Sequence, residues 1–327
     1  MRQPQDSAAE PAGLTHHTAL ILLALQLIPN LRRLHLPLLE HRFIGALPRT
    51  SARHSSPSSA SLKMLAFSSF GHDYLLDQVA PIIQRAPNLE ILHCHHHARI
   101  SELFSATLGR GSLAEPPPLQ NLTELALVNT PMTILSFRNL LSAVGPKLSK
   151  VHVRRTARQL NPLDETRILE FDEVLTALQP WRLTLKELSF TMNGIALPQT
   201  SNRLRGIHVL PEFHALEVLW VQAAFFDFYG HLGPREDALQ LTLPASVREL
   251  RFFGYSQPAE ALHGVVGALT TGQFVHLRSI GIDDQEFELD SEPAQELHAV
   301  GASFRSAGVA FTVHPMIIHS DPDARGS

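Results

Sequence analysis

The sequence predicts an α/β solenoid, with a curved parallel sheet on its concave face and helices on its convex face. Three observations lead to this prediction: an apolar motif that recurs about every thirty residues, helical spacing between its copies, and proline at the joints before several copies. A strand, a helix and a return that repeat with parallel strands stack most economically as right-handed turns. Because helices are wider than strands, about 10 Å against about 4.8 Å, the stack has to curve with the sheet inside.

The recurring motif has apolar residues at its first, fourth and sixth positions, with variable residues between them. Its fourth and sixth positions alternate with a variable residue, which is the pattern of a short strand with one buried face. Nine copies occur, and a degenerate tenth is found at Val309, Phe311 and Val313. The fourth positions of the nine copies are Leu34, Leu65, Leu92, Leu125, Val151, Leu188, Leu219, Leu250 and Ile280.

Segments with helical spacing of apolar residues lie between the predicted strands, for example at 134–144 and 171–178. Proline precedes the next strand at several joints. It ends a helix because it lacks the amide donor and drives the preceding residue out of the helical conformation. These joints carry Pro29, Pro87, Pro146, Pro180 and Pro244. The two patterns together predict alternating strands and helices.

The chain is predicted to form one domain over residues 14–319, with disordered tails at 1–13 and 320–327. Repeat units bury their apolar faces against their neighbours, so a length of 327 residues does not require two globular domains. Two insertions rich in proline, serine or glycine, at 49–61 and 109–118, interrupt the repeat and are expected to be mobile loops.

The composition limits the cellular compartments and the classes of partner that fit this protein. The formal charge of -4 and the pI near 6.5 give no uniform positive field, which argues against a nucleic-acid partner. A single cysteine, Cys94, excludes an intrachain disulfide and fits a reducing compartment. The first apolar run, at 19–28, is about half of the ~20 residues needed to cross a bilayer, and the polar residues before it do not resemble a secretory signal. We therefore expect a cytoplasmic or nuclear protein that does not enter a membrane.

The repeats that read NLRRLHL, NLEILHC, NLTELAL, TLKELSF and SVRELRF resemble the irregular leucine-rich repeats of fungal F-box-type proteins. The resemblance covers residues 20–315 and implies a leucine-rich-repeat solenoid, or horseshoe, that holds a protein partner as the substrate receptor of a ubiquitin ligase. Two features depart from that family. No F-box module precedes Leu31, so the chain either lacks this adaptor module or is a fragment. Only Asn193 occupies the asparagine ladder position nine residues into a copy, so the other copies must satisfy their buried turn groups differently.

The run from His93 to His97, with Cys94 inside it, suggests a metal site by composition alone. On a strand, alternate residues point to opposite faces, so the five side chains cannot converge on one ion. Cys94 also occupies an inward position of the repeat. We interpret the run as a structural or solvent-exposed cluster and predict neither a metal nor a cofactor, with a site at His93 and His95 as the alternative.

The chain also carries two charged segments, and it lacks the common catalytic motifs. The acidic run at 283–292 lacks the glycine turn and ligand scheme of a calcium loop and is interpreted as a solvated loop. The basic residues at 147–158 are interpreted as a solvated strand edge, with a site for an acidic or phosphorylated peptide as the alternative. The sequence has no Walker-type glycine loop, no G-x-S-x-G elbow and no H-E-x-x-H helix, so we predict that the protein is not an enzyme.

The variable residues between the inward positions are predicted to project from the concave face. Trp220 and Phe253 are expected on adjacent strands about 4.8 Å apart, with Arg251 beside them. Aromatic residues beside arginines have the composition of a binding hot spot. We therefore predict a binding site for an extended, acidic peptide at His152, Arg154, Trp220, Arg251 and Phe253. The alternative is that a loop such as 225–235 folds over the rings and buries them.

These observations predict a non-enzymatic module for protein–protein recognition. Two alternatives remain open at this point. One is an inert repeat protein without a defined partner, and the other is a metal-dependent enzyme that uses the cluster from His93 to His97.

Overall fold

A computed structural model describes the chain over residues 28, 30–38, 61–69, 74–75, 79–95, 98–99, 119–130, 132–156, 169–193, 207–222, 229–230, 233–234, 239, 242–253, 259–284 and 292–315. The chain divides into two compact units, Met1–Gly145 and Pro146–Ser327. The predicted tails at 1–13 and 320–327, and the insertions at 49–60 and 109–118, lie outside the described residues.

The first unit contains four parallel strands in one sheet, in the order β1, β2, β4, β6. Two short strands, β3 and β5, form a separate parallel pair. In chain order, the described elements of this unit are β1 (Arg33–Leu38), β2 (Met64–Ser69), β3 (Tyr74–Leu75), α1 (Ala80–Gln84), β4 (Ile91–His95), β5 (Ala98–Arg99), β6 (Glu124–Val128) and α2 (Ile134–Ser142).

The second unit contains six parallel strands in the order β7, β8, β9, β12, β13, β14, and an antiparallel pair formed by β10 and β11. In chain order, its described elements are β7 (Lys150–Thr156), α3 (Phe171–Leu178), a 3-10 helix (Gln179–Trp181), β8 (Glu187–Asn193), a 3-10 helix (Ile207–Glu212), β9 (Val218–Gln222), β10 (Tyr229–Gly230), β11 (Gly233–Pro234), β12 (Glu249–Phe253), α4 (Ala259–Thr270), β13 (Ser279–Asp284), α5 (Glu292–Ser306) and β14 (Ala310–Pro315).

Strand pairing confirms the α/β class and the register of the motif. Fourth positions pair with fourth positions on neighbouring strands, as in Leu219 with Leu250. In the second to ninth copies, every first, fourth and sixth position is at most 3% exposed. The first copy differs, because its three leucines on the edge strand β1 and the turn before it are only half-buried. The degenerate tenth copy is also a strand, in which Phe311 pairs with Ile280 and Val313 with Ile282.

The helices confirm the predicted spacing at two places. The side chain of Thr133 accepts a hydrogen bond from the amide of Ser136 and caps the start of α2, which buries Phe137 and Leu140. A capping box formed by Glu170 and its partner three residues later begins α3. This helix ends at Leu178, where Pro180 interrupts the helical hydrogen bonds and the chain tightens into a 3-10 turn.

A ladder of side-chain hydrogen bonds links the repeats at the residue just before the first position of the motif. At three copies a hydroxyl there donates to the backbone carbonyl of the first leucine of the preceding copy. The pairs are Ser61 with Leu31 (3.1 Å), Thr184 with Leu148 (3.0 Å) and Ser246 with Leu216 (2.8 Å). These bonds satisfy carbonyl groups at the turn into each strand.

The side chain at the position of the predicted asparagine ladder is described in one copy, where it is that of Thr130. Its buried hydroxyl donates to the carbonyl of Cys94 in the preceding copy, over 3.2 Å. The expectation that copies without asparagine satisfy their turn groups differently is confirmed there. Asn193 is the last residue of β8, but its side chain and those at the remaining ladder positions are outside the described part of the chain.

Candidate functional site

The predicted binding residues lie in the second unit, on the sheet face opposite its apolar core. Strand pairing aligns the fifth positions of the motif in one row and the seventh positions in a second row. The fifth-position row is His152, Ser189, Trp220, Arg251, Gly281 and Thr312. The seventh-position row includes the pair Arg154 and Thr191, and the series Gln222, Phe253, Asp283 and His314.

Five side chains on β9, β12 and β13 form a contact group, which we call the Trp220 cluster: Trp220, Glu249, Arg251, Phe253 and Asp283. The guanidinium carbon of Arg251 lies 5.4 Å from the ring centroid of Trp220 and 5.6 Å from that of Phe253. These distances are within the range of cation–π contacts. The guanidinium therefore lies against two aromatic rings, and both rings belong to half-buried residues.

Arg251 also forms a bidentate ion pair with Asp283. Its Nε donates to Oδ2 over 2.7 Å and its Nη2 donates to Oδ1 over 2.9 Å. The Asp283 side chain is 7% exposed and that of Arg251 is 32% exposed. Because a buried carboxylate is costly unless it is paired, the two groups hold each other in this geometry.

The interpretation of 283–292 as a solvated loop is wrong at its two ends. Asp283 belongs to β13, and it is buried because its seventh-position side chain lies beside Arg251 of β12. Glu292 is the first residue of α5. The residues between β13 and α5 lie outside the described part of the chain.

Glu249 within the cluster and Gly281 beside it were not identified from the sequence as parts of the site. The indole Nε1 of Trp220 donates to Oε1 of Glu249 over 2.9 Å, which fixes the orientation of the ring. A Cβ atom at Gly281 would lie 3.3 Å from Cγ of Arg251 and 3.7 Å from Cδ. Because position 281 has no side chain, Arg251 has space to extend over β13 and reach Asp283 on that strand.

The placement of Glu249 beside Trp220 repeats elsewhere in the chain. A glutamate at the third position of the motif lies against the fifth-position side chain of the preceding strand in three copies. The distances are 2.7 Å for His93 Nε2 and Glu124 Oε1, 3.7 Å for His152 Nε2 and Glu187 Oε1, and 2.9 Å for Trp220 Nε1 and Glu249 Oε1. The segments TEL, KEL and REL in these copies carry this signal in the sequence.

His152 and Arg154 lie on the same face but outside the Trp220 cluster. Both belong to β7, which is separated from β9 by β8. His152 shares Glu187 with Lys150, whose Nζ lies 3.1 Å from Oε2. Arg154 is exposed and has no ion pair within the described ranges. The five predicted residues thus share a face, and among them Arg251 contacts both Trp220 and Phe253.

The interpretation of the basic segment at 147–158 as a solvated strand edge is wrong for Arg155, which is buried. This arginine follows Val151 and Val153 on the inward side of β7 and is 5% exposed. The alternation of side chains along a strand puts it there. Lys147 and Arg154 are exposed, as that interpretation expected.

Two polar atoms near the cluster lack hydrogen-bond partners in the part of the chain that is described. They are Oγ1 of Thr191 and Oε1 of Gln222, both buried at seventh positions. Gln222 pairs with Phe253. The loop alternative at 225–235 falls mostly outside the described residues, which include only β10 and β11 there.

The histidine run has the alternation that a strand imposes. His93 and His95 lie on one face with ring centroids 5.7 Å apart, whereas Cys94 is fully buried on the other. Burial raises the pKa of the Cys94 thiol from 9.0 to about 12. No group of three or more His, Cys, Asp or Glu side chains is placed to hold a metal ion among the described residues, which exclude His96 and His97.

The fold and the site define an α/β protein whose parallel strands present a row of aromatic and charged side chains opposite the apolar core. No family model matches the chain, and no curated protein matches it by sequence. None of the described helices is long and apolar enough to cross a membrane.

Proposed function

We propose that this chain is a non-enzymatic recognition protein whose sheet face opposite the apolar core binds an extended segment of a partner protein. The observation that carries the proposal is the Trp220 cluster. Two half-buried rings and an arginine are held on rigid strands by the chain's own carboxylates. Aromatic and arginine side chains dominate binding hot spots, and side chains that are already ordered lose less entropy when a ligand binds.

The wider architecture in this proposal is a leucine-rich-repeat solenoid with the recognition face on its concave side. The continuous motif register and the hydroxyl ladder between copies support it. The resemblance to fungal F-box-type proteins supports a further element, in which the bound partner is a ubiquitin-ligase substrate. A cytoplasmic or nuclear location belongs to the same proposal.

Comparative affinity capture from cell extracts, followed by mass spectrometry, tests this function. We expect the wild-type chain to retain a defined set of proteins that the double variant Trp220→Ala, Arg251→Ala does not retain. The matched control is Val275→Ala, which truncates an apolar residue that is 60% exposed outside the cluster. This control should retain the wild-type set.

Four outcomes separate the elements of the proposal. Capture of the same proteins by the double variant would place recognition elsewhere on the chain. A wild-type chain that retains no defined set would contradict the recognition function. Ligase adaptor proteins in the wild-type set would support the ligase element, whereas a set without them would remove that element alone.

A further inference from the structure

The positive charge of Arg251 is already compensated inside the Trp220 cluster. Its Nε and Nη2 atoms donate to both oxygens of Asp283, and this carboxylate is 7% exposed. Charge-assisted bidentate pairs are among the strongest hydrogen bonds in proteins. A ligand carboxylate at Arg251 would have to displace Asp283 or approach it as a second negative charge, and close like charges repel.

Glu249 brings a second negative charge to the cluster, in addition to that of Asp283. Glu249 accepts a hydrogen bond from the uncharged indole of Trp220, and this bond leaves the carboxylate charge in place. One guanidinium and two carboxylates give the cluster a formal charge of -1. The cluster therefore disfavours the acidic ligand that the sequence suggested.

The cluster offers a ligand mainly ring surface and the aliphatic part of Arg251. The only polar hydrogen of the Trp220 ring is bonded to Glu249, so that ring contributes its faces. Phe253 has no polar group. Both residues are half-buried, which leaves part of each accessible. Such a surface matches an uncharged side chain, because an apolar group loses no hydrogen bonds to water when it is buried there. A cationic side chain is disfavoured because the guanidinium of Arg251 already lies against both rings and would repel a second positive charge.

We propose that the Trp220 cluster selects an uncharged apolar or aromatic side chain of an extended peptide. This inference rests on the proposed recognition function and specifies the ligand of that site. Arg251 is a positioning residue that keeps the rings of Trp220 and Phe253 in place. Asp283 and Glu249 hold Arg251 and Trp220 in turn.

Selection from a displayed library of random linear peptides, with the purified full chain as target, tests this inference. The wild type should enrich peptides that share an apolar or aromatic anchor, without an excess of acidic residues next to it. Trp220→Ala should lose this enrichment. A wild type that enriches no peptide would contradict the recognition function itself.

Asp283→Asn provides a test by gain of binding. The amide is nearly isosteric and still accepts a hydrogen bond from Arg251, but it no longer compensates the charge. Peptides with a carboxylate beside the anchor should bind this variant about tenfold more tightly than the wild type, the factor expected for one charge-assisted hydrogen bond. Asp172→Asn, in the first turn of α3, is the matched control and should leave peptide binding unchanged.

A second variant keeps the inference testable if Asp283→Asn does not fold. The double variant Arg251→Gln, Asp283→Asn replaces the ion pair by two neutral amides. It should keep the apolar selectivity of the wild type but bind the same peptides about tenfold more weakly, because the rings of Trp220 and Phe253 lose the guanidinium that positions them. If the wild type enriches peptides with acidic residues beside the anchor and this double variant does not, Arg251 binds the negative charge of the ligand. That result would overturn the inference and leave the recognition function intact.

Discussion

At the scale of single residues, two leucines near β8 differ in burial and so provide a matched test of the register. Leu188 is fully buried, whereas Leu183 is 65% exposed. Leu188→Asp places an unpaired charge in the apolar core and should cost several kcal/mol of the free energy of unfolding. Leu183→Asp should change it by less than about 0.5 kcal/mol. Denaturant titration followed by circular dichroism measures both, and a native-like Leu188→Asp would show that the register is wrong.

The buried thiol of Cys94 gives a prediction for reactivity and for pH. Its pKa is raised from 9.0 to about 12, so the reactive thiolate is scarce near neutral pH. A thiol reagent should label Cys94 rapidly only after denaturant is added. Because the pKa is higher in the folded state than in the unfolded state, the stability contributed by the neutral thiol is complete below about pH 9. It is lost as the pH rises towards 12. Rapid labelling of the native chain would contradict this burial.

The register of the repeat predicted the strand and the sheet face of each binding residue, but not the contacts of its side chain. Alternation along strands placed Trp220, Arg251 and Phe253 on one face, and the repeat placed them on adjacent strands. The pairing of Arg251 with Asp283 could not be predicted in this way. It depends on the direction that a long side chain takes across the neighbouring strand, and on the space left by Gly281.

At the scale of elements, strands were more predictable than the contacts between their connections. Apolar spacing and proline located α2 and the end of α3, because both are local properties of the chain. The hydroxyl ladder uses the Ser or Thr just before a first position, but its carbonyl partners lie in the preceding copy. Propensity within one segment carries no information on such partners.

Gly145 is a close-approach position in the turn after α2, and Gly267 in α4 is a matched control. A Cβ at Gly145 would lie 2.4 Å from the carbonyl oxygen of Gln120, whereas one at Gly267 would meet nothing within 4 Å. Gly145→Ala should therefore cost about 1–3 kcal/mol of the free energy of unfolding, since backbone has to shift. Gly267→Ala should stabilise the chain by roughly 0.5–1 kcal/mol, because alanine favours the helix. Equal effects of the two substitutions on thermal unfolding would refute the close approach.

At the scale of the whole molecule, the repeat explains why ten strands could be predicted and the connections could not. Successive first positions are between 26 and 37 residues apart, so each connection has its own length and composition. Strand register follows from a periodicity of two, which does not depend on that length. Connections without such a period give no comparable signal in the sequence.

Cooperative unfolding of residues 1–145 with 146–327 is the whole-molecule property that the repeat predicts. The motif continues through this boundary, where Leu122 and Leu148 are 26 residues apart, the shortest spacing in the chain. Because a repeat gains much of its stability from its neighbours, we expect one calorimetric transition. Leu92→Asp, at a fully buried position of the first unit, should lower its temperature for the entire chain. Leu135→Asp, 48% exposed on α2, is the control and should not move it. Two transitions, of which Leu92→Asp shifts only one, would show that the units are independent domains and would contradict the prediction of a single domain over 14–319.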